Sequence, residues 1–377
     1  MPNSDGTTAP RPEELDGLFH VSRVTVDGET VHYHGESYLP KRELVAELGP
    51  TFDAAGYDVS FTRRQDGGAV LTAQPYGTDD GVPWTNVVMF LATVATTLFV
   101  GATAWYYVPP SALADDPLSV LQAWPFTAAV LGVLMTHELG HYVAAKYYGV
   151  EVSLPYVIPF FALFGTMGAV IRMRGRMPDR RALFDIGAAG PIAGLVATVV
   201  VTAVGLSLDP MQVPQRVVES SGATIYFNDP PLLTFIANLL GEQTAYESRR
   251  LTVHPVIIGG WVGMFFTVLN LLPVGQLDGG HITRAMFGRR QETLASLVPL
   301  VLFGLSGYLY FVRDLGFQDS VGLWAFWGLL SAVVAFGGAA EPLDETPLGP
   351  ARYALGVFTF VLGAACFVLV PISVQMA

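Results

Sequence analysis

This 377-residue sequence is poor in charge: 14% of its residues are Asp, Glu, Lys or Arg, against about 25% in an ordinary soluble domain. The deficit is uneven. Residues 1–83 carry 14 acidic and 6 basic side chains. The residues after them hold only 18 and 14, too few to cover the surface of a soluble enzyme of that size, which is thereby excluded. Lysine is scarcer still, with Lys41 and Lys146 the only two. The net charge of −12 excludes a nucleic-acid binder built on a basic surface. Acid-rich, lysine-poor surfaces stay hydrated in high salt, which fits a salt-loving prokaryote, although a GC-rich genome also favours Arg over Lys. Cys366 is the one cysteine, so neither an intramolecular disulfide nor a multi-cysteine metal site can form. The first 20 residues lack a basic region followed by an apolar one, so no cleaved signal peptide is expected.

What the sequence does contain divides into an acidic soluble α+β domain, residues 1–83, and a membrane domain, residues 84–377. Residues 1–15 are rich in Pro, Ser, Thr and acid and read as a disordered start. Val21–Val26 and Thr30–His34 alternate as strands around Asp27-Gly28, and Pro40–Ala55 reads as a helix. Tyr57–Arg63 and Ala69–Ala73 then form a second hairpin around Asp66-Gly67-Gly68. Its histidines, His20, His32 and His34, read as inert surface groups.

Seven nearly uncharged runs follow: Pro83–Val108, Leu118–Ala145, Ile186–Leu208, Leu251–Leu277, Thr293–Val312, Val321–Ala340 and Tyr353–Met376. Each exceeds the ~18 residues that span a bilayer as a helix. Val152–Ile171 is also uncharged, but Pro155, Pro159, Gly165 and Gly168 punctuate it, so a hairpin that re-enters the membrane suits it better. The expected fold is therefore mainly α: a polytopic helix bundle of about seven spans plus a re-entrant hairpin. With that topology ten Lys/Arg residues, among them Lys146, Arg172, Arg180, Arg284 and Arg352, share one face against four on the other. The richer face reads as cytoplasmic, which places the N-terminus inside a multi-pass cell-membrane protein.

The second span contains His137-Glu138-Leu139-Gly140-His141, an H-E-x-x-H pattern. Positions i and i+4 share a helix face, so both imidazoles can ligate one Zn²⁺, and Glu138 beside them can move protons. Three ionisable groups inside an apolar helix are costly, which argues for a role. Two histidines do not complete a catalytic zinc site. Ala144 and Tyr147 occupy the places where a metzincin has its glycine and third histidine, so that class fails. Glu151 lies past Gly149, on a segment leaving the helix. Asp278, in Asn270-Leu271-Leu272-Pro273-Val274-Gly275-Gln276-Leu277-Asp278-Gly279, is the better third ligand, and the re-entrant topology brings it to the same membrane face as the histidines. Asn270 is placed either to bond substrate backbone or to bridge two helices. His281 reads as a surface histidine, His254 as remote from the site, and the glycine clusters at 190–194 and 259–263 as close helix packing.

These residues resemble the site-2 protease family of intramembrane zinc metalloproteases, through His137-Glu138-x-x-His141, Asn270-x-x-Pro273 and Leu277-Asp278-Gly279, over about residues 84–290. Gly190-Pro191-Ile192-Ala193-Gly194 and Gly259-Gly260-Trp261-Val262-Gly263 are similar to the plant and prokaryotic branch, and no PDZ-like insertion is present. The resemblance implies one zinc per chain on His137, His141 and Asp278, Glu138 as general base, and cleavage of membrane-embedded helices of other proteins in the lipid bilayer. It also implies that Phe164–Val170 belongs to the hairpin that receives the substrate as an added strand. Prenyl-protein endopeptidases are a poorer match, lacking here their downstream glutamate motif. A metal-binding or ion-translocating membrane protein without protease activity is the alternative from another class.

Overall fold

Period-two alternation builds the first of two compact units, Met1–Pro83 and Trp84–Ala377. The computed structural model describes residues 8–63, 68–75, 82–174, 177–219 and 223–376. The turn expected at Asp66-Gly67, the first seven residues of the start and Arg176 lie outside them. Strands β1 (Phe19–Asp27) and β2 (Thr30–Ser37) pair around Asp27-Gly28 and are followed by α1 (Lys41–Ala54). Strands β3 (Tyr57–Arg63) and β4 (Ala69–Pro75) complete an antiparallel sheet of order β1-β2-β4-β3. Val31, Tyr33, Val59, Phe61, Leu71 and Ala73 alternate onto the buried face, and α1 supplies Leu44, Leu48 and Phe52 at i, i+4 and i+8.

Residues 8–15 depart from the disordered reading. Ala9 and Leu15 are buried in this core, Pro12–Glu14 make a 3₁₀ turn, and the Tyr33 hydroxyl donates to Pro10 O at 2.6 Å. Two apolar footholds and one buried hydrogen bond outweigh the polar composition. Tyr33→Phe is expected to cost about 1 kcal/mol, read as a lower melting temperature and faster proteolysis ahead of Leu15.

The second unit begins with α2 (Trp84–Val100), continued by Gly101–Trp105, and α3 (Trp124–Tyr147). Strands β5 (Tyr156–Pro159) and β6 (Thr166–Val170) pair antiparallel, giving the hairpin that the Pro/Gly pattern predicts. Next come α4 (Arg180–Ser207), β7 (Ala223–Phe227), α5 (Pro231–Leu240), α6 (Val256–Asn270) and α7 (Asp278–Phe287). The chain closes with α8 (Arg290–Phe311), α9 (Gly322–Gly337), α10 (Pro350–Ala365) and β8 (Ile372–Met376).

Among the described residues five helices are long and apolar enough to cross a membrane: Trp84–Trp105, Pro117–Tyr147, Arg180–Ser207, Arg290–Phe311 and Phe317–Ala335. Two of the seven expected runs are shorter as helices. Leu251–Leu277 holds a helix of only 15 residues, α6, because Pro273 removes a donor and Gly275 adopts φ +49° in the turn that follows. Tyr353–Met376 leaves its helix at Ala365 and ends as β8, which pairs antiparallel with β7. Leu91, Val196, Leu300, Phe311 and Leu329 are exposed on the long helices, an arrangement suited to lipid rather than water.

Helices α3, α4 and α6 pack side by side around Phe126, Val130, Leu134, Leu195, Trp261, Val262 and Met264. The glycine cluster of α6 does the work read from its spacing. A Cβ on Gly259 would lie 2.6 Å from Ala129 Cβ, and one on Gly263 2.6 Å from the Val133 side chain. This close approach lets α7 deliver its first residue to the face of α3.

Candidate metal centre

His137 and His141 lie one turn apart on α3, and both are buried. Asp278 opens α7 after the Pro273 turn. The three converge: His137 Nε2 is 3.1 Å from Asp278 Oδ2, His141 Nε2 is 3.1 Å from Asp278 Oδ1, and the two Nε2 atoms are 3.2 Å apart. The backbone carbonyl of Ile186 can only accept, so His141 Nδ1, 2.7 Å away, carries the proton of a neutral ring and Nε2 offers its lone pair. Donors about 2.0–2.1 Å from a tetrahedral cation stand about 3.3 Å from one another. The donor set therefore fits a small divalent cation at its centre. Among the described residues this is the one group of three or more His, Cys, Asp or Glu side chains that could hold a metal ion.

Glu138 is buried and lines a cavity of ≈ 210 Å³ together with His137, Asn270, Thr267 and the hairpin residues Met167–Val170. Asn270 Nδ2 is 3.3 Å from His137 Nε2, so it reaches both the site and the cavity. Helix α9 also lines the cavity, through Trp327, Leu330, Ser331 and Val334. Nothing in the sequence of that apolar helix marked it, because lining a cavity needs no special residue type.

The other candidates fall elsewhere. Glu151 is exposed on a two-residue strand and does not join the group. His254 lies against the Tyr106 ring, 6.0 Å between centroids, away from the donors. His32 and His34 bond Thr72 and Thr25, each at 3.0 Å. His281 is not at the surface: it is buried, its Cβ seated where Gly187 of α4 leaves room. Burial pushes its pKa down to about 4, against the pull of the Asp278 carboxylate.

The glycines at 190 and 194 do more than allow two helices to pack. A Cβ on Gly190 would lie 2.0 Å from His141 Nε2, and one on Gly194 2.9 Å from His137 Nδ1. Two glycines at i and i+4 on α4 thus face two histidines at i and i+4 on the antiparallel α3. That matched spacing was a signal available in the sequence.

A family model described as Peptidase family M50 matches residues 125–305, which contain both halves of the metal centre. Over those residues the chain is similar to this family, that of the site-2 proteases. The match extends from α3 into α8, leaving α9 and α10 after it. Relatives include the probable zinc metalloprotease EGY1, chloroplastic, of Arabidopsis thaliana, 33% identical over 246 residues, covering 59% of this chain and 42% of that protein. EGY1 of Oryza sativa subsp. japonica is 31% identical over 244 residues, covering 58% and 40%. The probable zinc metalloprotease EGY3, chloroplastic, of Oryza sativa subsp. indica is 29% identical over 357 residues, covering 86% and 58%. The aligned part is thus about two fifths of each EGY1 protein's own length. These relatives are plant proteins, which lends nothing to the expectation of a salt-loving prokaryotic source.

Proposed function

We propose that the chain is an intramembrane zinc endopeptidase that cuts membrane-embedded segments of other proteins near the cytoplasmic side of the cell membrane. The observation that carries this reading is the convergence of His137, His141 and Asp278 beside Glu138, at a cavity walled by β6. Residues 84–377 are the protease and residues 1–83 an acidic cytoplasmic domain; the ten-to-four charge asymmetry supports this orientation. Two imidazoles and a carboxylate suit zinc, the metal in the names of the EGY relatives, at one ion per chain.

Zinc bound there supplies a Lewis acid for a peptide carbonyl and makes water acidic near neutral pH. The chain's own groups do the rest. A substrate helix must unwind first, because its carbonyls are held in i→i−4 hydrogen bonds. The extended segment pairs with the edge of β6 and lies across the cavity. Asn270 donates to its backbone beside the scissile bond. Glu138 takes the proton from the attacking water and returns it to the leaving amine.

The test joins metal content to cleavage. Wild-type protein is expected to purify with one zinc per chain and to cut a member of a panel of tagged single-span proteins on co-expression. His141→Ala and Asp278→Asn should lose both. Full zinc and full cleavage in Asp278→Asn would sink the assignment. The ion-translocating alternative is supported instead if Glu138→Gln slows metal flux into vesicles and no panel member is cut by the wild type.

A further inference from the structure

Asp278 opens α7, and the far end of that ten-residue helix is held by residues outside both motifs. Near its C-terminus Ala285 and Met286 have carbonyls with no partner inside the helix. The buried Arg180, first residue of α4, covers them: Nε donates to Ala285 O at 2.8 Å, and Nη2 donates to Ala285 O and, at 3.0 Å, to Met286 O. Nη1 donates to the backbone carbonyl of Glu345 at 3.4 Å. The Tyr353 hydroxyl, in the first turn of α10, adds a bond to Met286 O at 2.7 Å. A guanidinium complements the negative end of a helix dipole, and its planar fork matches adjacent carbonyls as an ammonium cannot.

The same turn of α10 also reaches the end of α3. Arg352 holds Asp185 of α4 with two bonds of 2.8 and 2.7 Å, and Asp185 accepts from Tyr148, the residue following α3. Neighbouring residues of α10 therefore tie together the ends of the two helices that carry the metal donors.

We infer that Arg180, assisted by Tyr353, is a positioning residue for the metal centre. By gripping the C-terminal carbonyls of α7, it sets where Asp278 meets His137 and His141. This rests on the metal-centre reading above. A ten-residue helix is about 15 Å long. Metal donors must sit within about 0.5 Å of their places, so a tilt of about 2° at the gripped end already matters. The grip acts on a backbone, which explains why no motif around Asp278 announces it.

The experiment measures zinc affinity by chelator competition on the full-length protein in detergent, with far-UV circular dichroism and thermal melting of the metal-free forms alongside. Arg180→Ala is expected to weaken zinc binding by about 10–100-fold at wild-type helicity, and Arg180→Lys to recover part of it. An Asp278→Ala background keeps only the weak residual zinc affinity of the His137–His141 pair, and there the same Arg180→Ala change should lower that residual affinity no further, since its effect passes through Asp278. A general loss of structure would add its full effect there. If Arg180→Ala does not fold, Tyr353→Phe removes a single hydrogen bond from Met286 and should weaken binding by about 2–10-fold. Unchanged affinity in the folded variant, or an equal loss in the Asp278→Ala background, overturns the inference while leaving the metal centre standing. A wild-type protein that binds no zinc overturns both.

Discussion

Glu138→Gln is expected to keep its zinc and to lose cleavage by about 10²–10⁴-fold, the range that general acid–base catalysis supplies. The side chain is buried on the cavity wall beside His137, and it is not one of the three converging donors. Glutamine has the same shape and can still hydrogen-bond, but it cannot take a proton from water or deliver one to an amine. Metal content and activity should therefore separate in this variant, whereas they fall together in Asp278→Asn. The measurement is zinc stoichiometry beside the fraction of substrate cut in the same preparation. A variant that cleaves at the wild-type rate removes Glu138 from the chemistry.

Gly190→Ala should be comparably severe through a different route. The added methyl would stand 2.0 Å from His141 Nε2, with ring carbons at 2.3 and 2.4 Å. The ring has nowhere to retreat, because Nδ1 is tied to Ile186 O at 2.7 Å and Asp278 lies 3.1 Å from its other nitrogen. Either α4 moves off α3 or His141 leaves the site. Zinc content should fall below about a tenth of wild type, with an overpacking cost of about 1–3 kcal/mol. Gly194→Ala, whose Cβ would be 2.9 Å from His137 Nδ1, should be milder. Gly132→Ala, which meets nothing within 4 Å, should bind zinc like the wild type. If Gly190→Ala binds zinc normally, the packing of α4 on the two histidines is wrong.

Local rules reached a good part of this fold. The first unit was legible because each element carries its own signal: alternation in β2 and β4, Asp-Gly at a turn, and an i, i+4, i+8 stripe in α1. The β5–β6 hairpin was legible for the same reason, since Pro and Gly break a run that hydropathy alone would read as a span. Summed hydropathy failed where a run stays apolar while its backbone changes course. Leu251–Leu277 turns at Pro273 and Gly275, and the end of Tyr353–Met376 pairs with a strand some 150 residues earlier in the chain, a contact no local window contains. His281 misled because Asp-Gly-Gly-His looks like a surface turn, and only the space left by Gly187 buries it. At the site, the donors were readable as types at fixed spacing. The Ile186 carbonyl and the Arg180 grip were not, since every residue has a carbonyl and an arginine at a helix start suggests a lipid headgroup first.

The brevity of α6 bears on how deep the metal centre lies. Fifteen residues of helix measure about 22 Å, against about 30 Å of hydrocarbon. None of those residues is exposed, because neighbouring helices enclose α6, so it presents no face to lipid and need not match the bilayer. Asp278 follows its end by only eight residues. The short helix thus stops its chain early and hands the third donor to the turn of α3 that holds both histidines, short of where a full span would carry it.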